Sequence, residues 1–174
     1  MDMKKAFLIF LALILFWGNV LGEESGLVSG DFLYEIGDQG AVVTGWLGEE
    51  ICLTVPEALG GYSVAVIGDY AFAYAGLEWV ILPSTLKEIG VCAFNACYSL
   101  ARVDFPEGLE RIGADAFLCC ESLQEAILPQ SLKEIGEEAF WNCLSLERVE
   151  LPADTWAGER AFANTPWGES VKGD

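Results

Sequence analysis

The chain has 174 residues, 27 acidic and 9 basic side chains, no histidine, and a formal charge of −18. Its length suits one domain with a continuous core. So acidic a surface repels phosphate backbones and anionic lipid heads, which argues against nucleic acid and direct membrane-surface binding. The missing histidine removes the usual Ser-His, Cys-His and His-metal machinery.

The first segment reads as an address. Lys4 and Lys5 precede an uncharged apolar stretch over residues 6–17, and Val20 and Gly22 are small side chains before a potential cut. This pattern predicts a secretory signal peptide over residues 1–22. An uncleaved N-terminal anchor is the alternative, but the apolar run is short for a span of about 20 residues. Residues 1–22 carry Lys4, Lys5 and Asp2, so cleavage there would leave a charge of −19.

Residues 23–50 are expected to form an N-terminal cap hairpin. Phe32, Tyr34 and Ile36 alternate, Gly37-Asp38-Gln39-Gly40 turns, and a second strand returns to Trp46. A solenoid is expected over residues 51–168, followed by a C-terminal tail over 169–174. Pro83, Pro106, Pro129 and Pro152 are each 23 residues apart. Around them runs Leu-Pro-x-x-Leu-x-x-Ile-Gly-x-x-Ala-Phe-x-x-Cys-x-x-Leu-x-x-Val-x, complete over residues 82–104, 105–127 and 128–150. A partial copy precedes these three and a degenerate one follows. Units that recur at this length bury their apolar side only by stacking.

Within one unit, Val103 and Phe105 alternate with Arg102 and Asp104, the mark of a strand with one buried face. Equivalent strands are expected near residues 78–82, 124–128 and 147–151, each ended by proline. The returning half places Leu86, Ile89, Ala93, Phe94 and Cys97 inward, with Gly90 permitting a tight turn and a short helical or 3-10 turn at Ala93-Phe94. The predicted fold class is an α/β repeat solenoid with a parallel β-sheet on one face. Phe72, Phe94, Phe117, Phe140 and Phe162 are expected to stack. In the columns Lys87, Glu110, Lys133 and Glu88, Arg111, Glu134 the sign of the charge alternates from unit to unit.

Six cysteines in a secreted chain suggest disulfides, but Cys97, Cys120 and Cys143 share one repeat position. They are expected to stack inward as small hydrophobes, in a geometry poor for bridging. No cysteine spacing fits zinc, no acidic pair fits a calcium loop, and no cofactor is expected.

Register lists the exposed sheet face: Cys52, Trp79, Arg102, Glu125 and Arg148 in one column, and Thr54, Ile81, Asp104, Ile127 and Glu150 in the other. The candidate binding residues are therefore Trp79, Ile81, Arg102, Asp104, Glu125, Ile127, Arg148 and Glu150. Trp79 is the anchor candidate, because large aromatics dominate binding hot spots. Alternatively it packs beneath the insertion at Gly60-Gly61-Tyr62.

The repeat, together with Val43-Thr44-Gly45, Gly61-Tyr62-Ser63-Val64 and Asn164-Thr165-Pro166-Trp167, resembles the BspA-like class of leucine-rich repeats over residues 31–168. The resemblance implies a secreted or cell-surface protein, with adhesion to host matrix or other microbes as the family's recurrent role. The chain is shorter than the larger members, and Leu151-Pro152-Ala153-Asp154-Thr155 is not a sortase motif. The expected function is a non-catalytic module that binds a protein partner as a monomer or weakly self-associating unit. The alternative is a structural unit that assembles through its solenoid ends.

Overall fold

A computed structural model describes residues 26–171. The expected signal peptide lies outside the described residues. Strands β1 (Leu27–Ser29), β2 (Phe32–Gly37) and β3 (Gly40–Trp46) form an antiparallel meander. The first coil holds β4 (Cys52–Thr54) and a hairpin of β5 (Ala58–Leu59) and β6 (Tyr62–Ile67). Three coils then repeat a three-residue and a two-residue strand: β7 (Trp79–Ile81) and β8 (Glu88–Ile89), β9 (Arg102–Asp104) and β10 (Arg111–Ile112), β11 (Glu125–Ile127) and β12 (Glu134–Ile135). The last coil carries β13 (Arg148–Glu150), β14 (Trp156–Ala157) and helix α1 (Pro166–Val171).

The three-residue strands are parallel and, within each group, in the expected register, but they form two sheets, β4-β7-β9 and β11-β13, where one was expected. No ladder pairs β9 with β11. A further, longer sheet runs β1-β2-β3-β6-β8-β10-β12-β14. It is parallel from β3 onward, so the cap hairpin extends this sheet as well as closing the solenoid's first end. The sequence pattern shows this half of each coil only as a return path, because two-residue strands carry no readable alternation.

The glycine column serves close approach between coils. Gly90, Gly113, Gly136 and Gly158 lie outside the positive-φ region. A Cβ on Gly113 would sit 2.7 Å from the carbonyl carbon of Gly90, and one on Gly158 2.6 Å from the nitrogen of Glu137. The tight-turn reading of Gly90 is therefore replaced by one in which each coil's backbone lies directly on the last.

Positive φ falls instead on non-glycine residues, two per coil: Cys92 and Ala96, Asp115 and Cys119, Glu138 and Asn142. These left-handed residues interrupt any helical run, which is why the expected helical or 3-10 turn at Ala93-Phe94 is a chain of plain turns. Alternate amides leave the turn and bond the next coil. Cys92, Phe94 and Ala96 donate to the carbonyls of Ala114, Ala116 and Leu118 at 2.7–3.0 Å. The solenoid is thus almost entirely strand and turn, and no described helix is long and apolar enough to cross a membrane.

The core follows the repeat. Phe72, Phe94, Phe117, Phe140 and Phe162 stack with ring centroids 5.0–5.1 Å apart and planes within 8°. Burying each ring contributes about 1.5–3 kcal/mol. Trp46 covers the first ring at 6.2 Å and Trp167 meets the last at 4.9 Å, edge to face. Thr165 holds Trp167 there: its hydroxyl accepts from the Gly168 amide at 2.9 Å, capping α1, whose first residue is Pro166. The helix begins three residues before the expected tail.

Cys97, Cys120 and Cys143 are fully buried free thiols, each donating to the preceding coil's phenylalanine carbonyl at 3.1–3.2 Å. Burial pushes the Cys143 thiol up to about 12 and that of Cys120 well above its ordinary value. The inward ladder is as expected, and all six cysteines are free.

Candidate binding face

The three-residue strands position the predicted face. Val80, Val103 and Ala126 point inward and are buried, which turns their neighbours outward. Cys52, Trp79 and Arg102 are aligned across β4, β7 and β9, as are Thr54, Ile81 and Asp104. Glu125 faces Arg148 and Ile127 faces Glu150 across β11 and β13. Ile81 and Ile127 are exposed apolar side chains, each at 38%.

Trp79 is only half-buried, and the guanidinium of Arg102 lies 4.7 Å above its ring centre. This contact, which register alone does not reveal, is a cation–π pair. Arg102 also donates to Asp104 at 2.8 Å. Beneath it the Trp79 indole N–H is sealed from solvent and finds no acceptor among the described residues. A buried donor left unpaired costs about 1–3 kcal/mol.

The other cation of the face is also engaged. Arg148 reaches Glu125 at 3.3 Å and pairs with Glu150. Its hydrogen bond to Glu150 holds the guanidinium more firmly protonated. The face therefore alternates apolar side chains on β7 and β11 with neutralised ion pairs on β9 and β13. Exposed pairs of this kind add little stability, at most about 1 kcal/mol each.

The gap between β9 and β11 divides the face. It coincides with Phe105, which stands where other coils carry Leu82, Leu128 and Leu151, and whose ring meets Phe117 edge-on at 5.7 Å. Leu82 and Leu128 donate to the next coil's Asp104 and Glu150 carbonyls, at 3.4 and 3.0 Å. The equivalent bond from Phe105 is missing.

The other columns look structural. Glu88 and Glu134 flank Arg111 at 3.6 and 3.2 Å, and Lys133 pairs with Glu110. The described residues hold no group of three metal-ligating side chains.

Comparison with known proteins agrees with this geometry. The model of the BspA type leucine-rich repeat region matches residues 62–172 in six copies. The chain belongs to the BspA-type leucine-rich repeat family. A leucine-rich repeat protein of T. pallidum is similar at 35% identity and a TM-score of 0.75, over 79% of this chain and 66% of that one. One from Bacteroides capillosus is similar at 30% identity and 0.65, over 74% of this chain and 100% of that one. A leucine-rich cell surface protein of Faecalibacterium prausnitzii is similar at 28% identity and 0.61, over 82% and 47%. No curated protein matches the chain.

Proposed function

We propose that this chain is a secreted or cell-surface, non-catalytic module that binds a protein partner through its exposed sheet face. Adhesion to host matrix or to other cells is the role that suits it. The carrying observation is Trp79, half-buried on the sheet face, with the Arg102 guanidinium over its ring and an indole donor that finds no acceptor among the described residues. A partner that lifts the guanidinium and offers a carbonyl to the indole satisfies that donor and buries Ile81 beside it. The surface location draws support from the F. prausnitzii relative, described as a cell surface protein.

A titration against purified matrix proteins and intact bacterial cells tests this reading. Trp79→Ala should weaken a true partner by about 2 kcal/mol, the hot-spot scale, with circular dichroism unchanged. Equal affinity for wild type and variant would move the site off this face.

Assembly through the solenoid ends is favoured by one observation: Trp156, on the outermost strand β14, is 61% exposed. Concentration-dependent association in a sizing experiment, abolished by Trp156→Ser, would support it over partner binding.

A further inference from the structure

Beside the sheet face runs an open groove of about 450 Å³, lined by Glu78, Ser99, Ala101, Ser122, Gln124 and Ser145. Its walls come from two repeat positions. Glu78, Ala101 and Gln124 immediately precede β7, β9 and β11, while Ser99, Ser122 and Ser145 close the turns of successive coils. The groove therefore runs along the stack, and its chemistry repeats once per coil, every 5.0–5.1 Å by the spacing of the stacked rings. Hydroxyls, a carboxylate and a carboxamide supply both donors and acceptors, with no cation among the lining residues. Ser122 donates its hydroxyl to the carbonyl of Tyr98, the residue before Ser99, at 2.7 Å.

We propose that this groove binds an extended β-1,4-linked polysaccharide laid along the solenoid axis. Such a chain advances by close to one coil spacing per sugar and turns over at each linkage, so a ring meets every serine and like edges recur at every second one. A peptide strand laid the same way advances about 3.3 Å per residue and falls out of step with the coils. The charge of −18 excludes acidic polysaccharides, so the sugars are neutral or amino-derived. The site is separate from Trp79 and does not depend on the protein-binding reading.

Isothermal titration of the full chain with cellohexaose and with chitohexaose tests the proposal and separates plain from acetamido sugars. Maltohexaose, whose α-linked chain coils, and polygalacturonate, which is anionic, serve as controls. At least one β-linked hexamer should bind, and Ser122→Leu, which fills the groove's centre, should weaken it by tenfold or more. Should Ser122→Leu misfold, exposed Gln124→Ala decides, with a loss of about threefold to tenfold expected for one neutral hydrogen bond. No binding by either β-linked hexamer overturns the proposal. So does equal binding of maltohexaose, or unchanged affinity in a folded groove variant.

Discussion

The two parallel ladders of the solenoid are built from the same coils, yet one is continuous and the other is broken. From β3 to β14 the longer ladder runs without interruption. Glycine at one position lets each backbone lie on the last, and charges of opposite sign meet along its outer columns. The ladder that carries β7, β9, β11 and β13 divides beside Phe105, and its outer column holds an indole where the next three coils hold charge. The difference teaches that regularity follows the demands of stacking. The residues free to depart from it are those facing solvent on the three-residue strands, and the candidate site lies among them.

The strongest test of stacking as the shared support is Phe117→Ala. This ring lies between Phe94 and Phe140 and is fully buried. Its removal should cost about 3–5 kcal/mol in denaturant unfolding, as truncation of a packed core ring does. Both ladders should weaken together, because the ring supports both halves of the coil. An unchanged unfolding midpoint would mean that the stack contributes little.

Gly113→Ala should harm the continuous ladder selectively. The new methyl would press on backbone atoms of Gly90 and Val91 at 2.7–2.9 Å, which cannot rotate aside. Overpacking of this kind costs about 1–3 kcal/mol. Hydrogen exchange should accelerate first at Arg111 and Gly113, and later at Trp79 and Arg102. Acceleration spread evenly would show that the ladders do not respond separately.

Much of this was legible in the residues, because a strict period exposes whatever recurs with it. The phenylalanine stack, the inward cysteines, the alternating charges and the register of the exposed face all follow from a 23-residue step. Part of what stayed hidden does not repeat in side-chain type. Cys92, Asp115, Glu138 and Arg160 share a left-handed backbone that none of them advertises. From β8 onward the continuous ladder uses two-residue strands, too short for any periodicity. The roof of Arg102 over Trp79 depends on rotamers, and the serine groove on how turns line up against strand starts. The face residues align as the step implies within β7-β9 and within β11-β13, but their ion pairing and the division at Phe105 leave no trace in the repeat.

That division is itself testable. Phe105→Leu restores the residue found in the other coils, and a leucine fills the site without the edgewise ring. The β9 and β11 strands should then pair, with slower exchange at residue 105, whose amide gains the carbonyl of Ile127. Stability should change by less than about 1.5 kcal/mol, as apolar swaps of similar size do. Persistent fast exchange at that amide would place the cause of the gap elsewhere in the coil.

The smallest expected effects separate paired from unpaired carboxylates. The Lys133 ammonium bonded to Glu110 holds that carboxyl below its ordinary range. Asp115, on the turn side, is shifted upward, first by burial and then by Glu138 and Glu137. Arg160 pairs with those two glutamates, and Asp115 shares no ion pair with it. A depressed folded-state value stabilises the fold above the unfolded value, and that stability is lost as pH falls through the folded value. A raised one penalises the fold above its folded value, and the penalty vanishes once pH is below the unfolded value of about 3.9. Glu110→Gln should therefore lower the melting temperature slightly at pH 7, with the difference fading as the medium is acidified. Asp115→Asn should raise it at pH 7 and lose its advantage in acid, since asparagine tolerates the same left-handed backbone. Melting curves of the two variants at neutral pH and near pH 3 make the comparison, because each carboxylate is then read against its neutral twin. Shifts of the same sign at pH 7 would mean that the local charges do not set these two side chains apart.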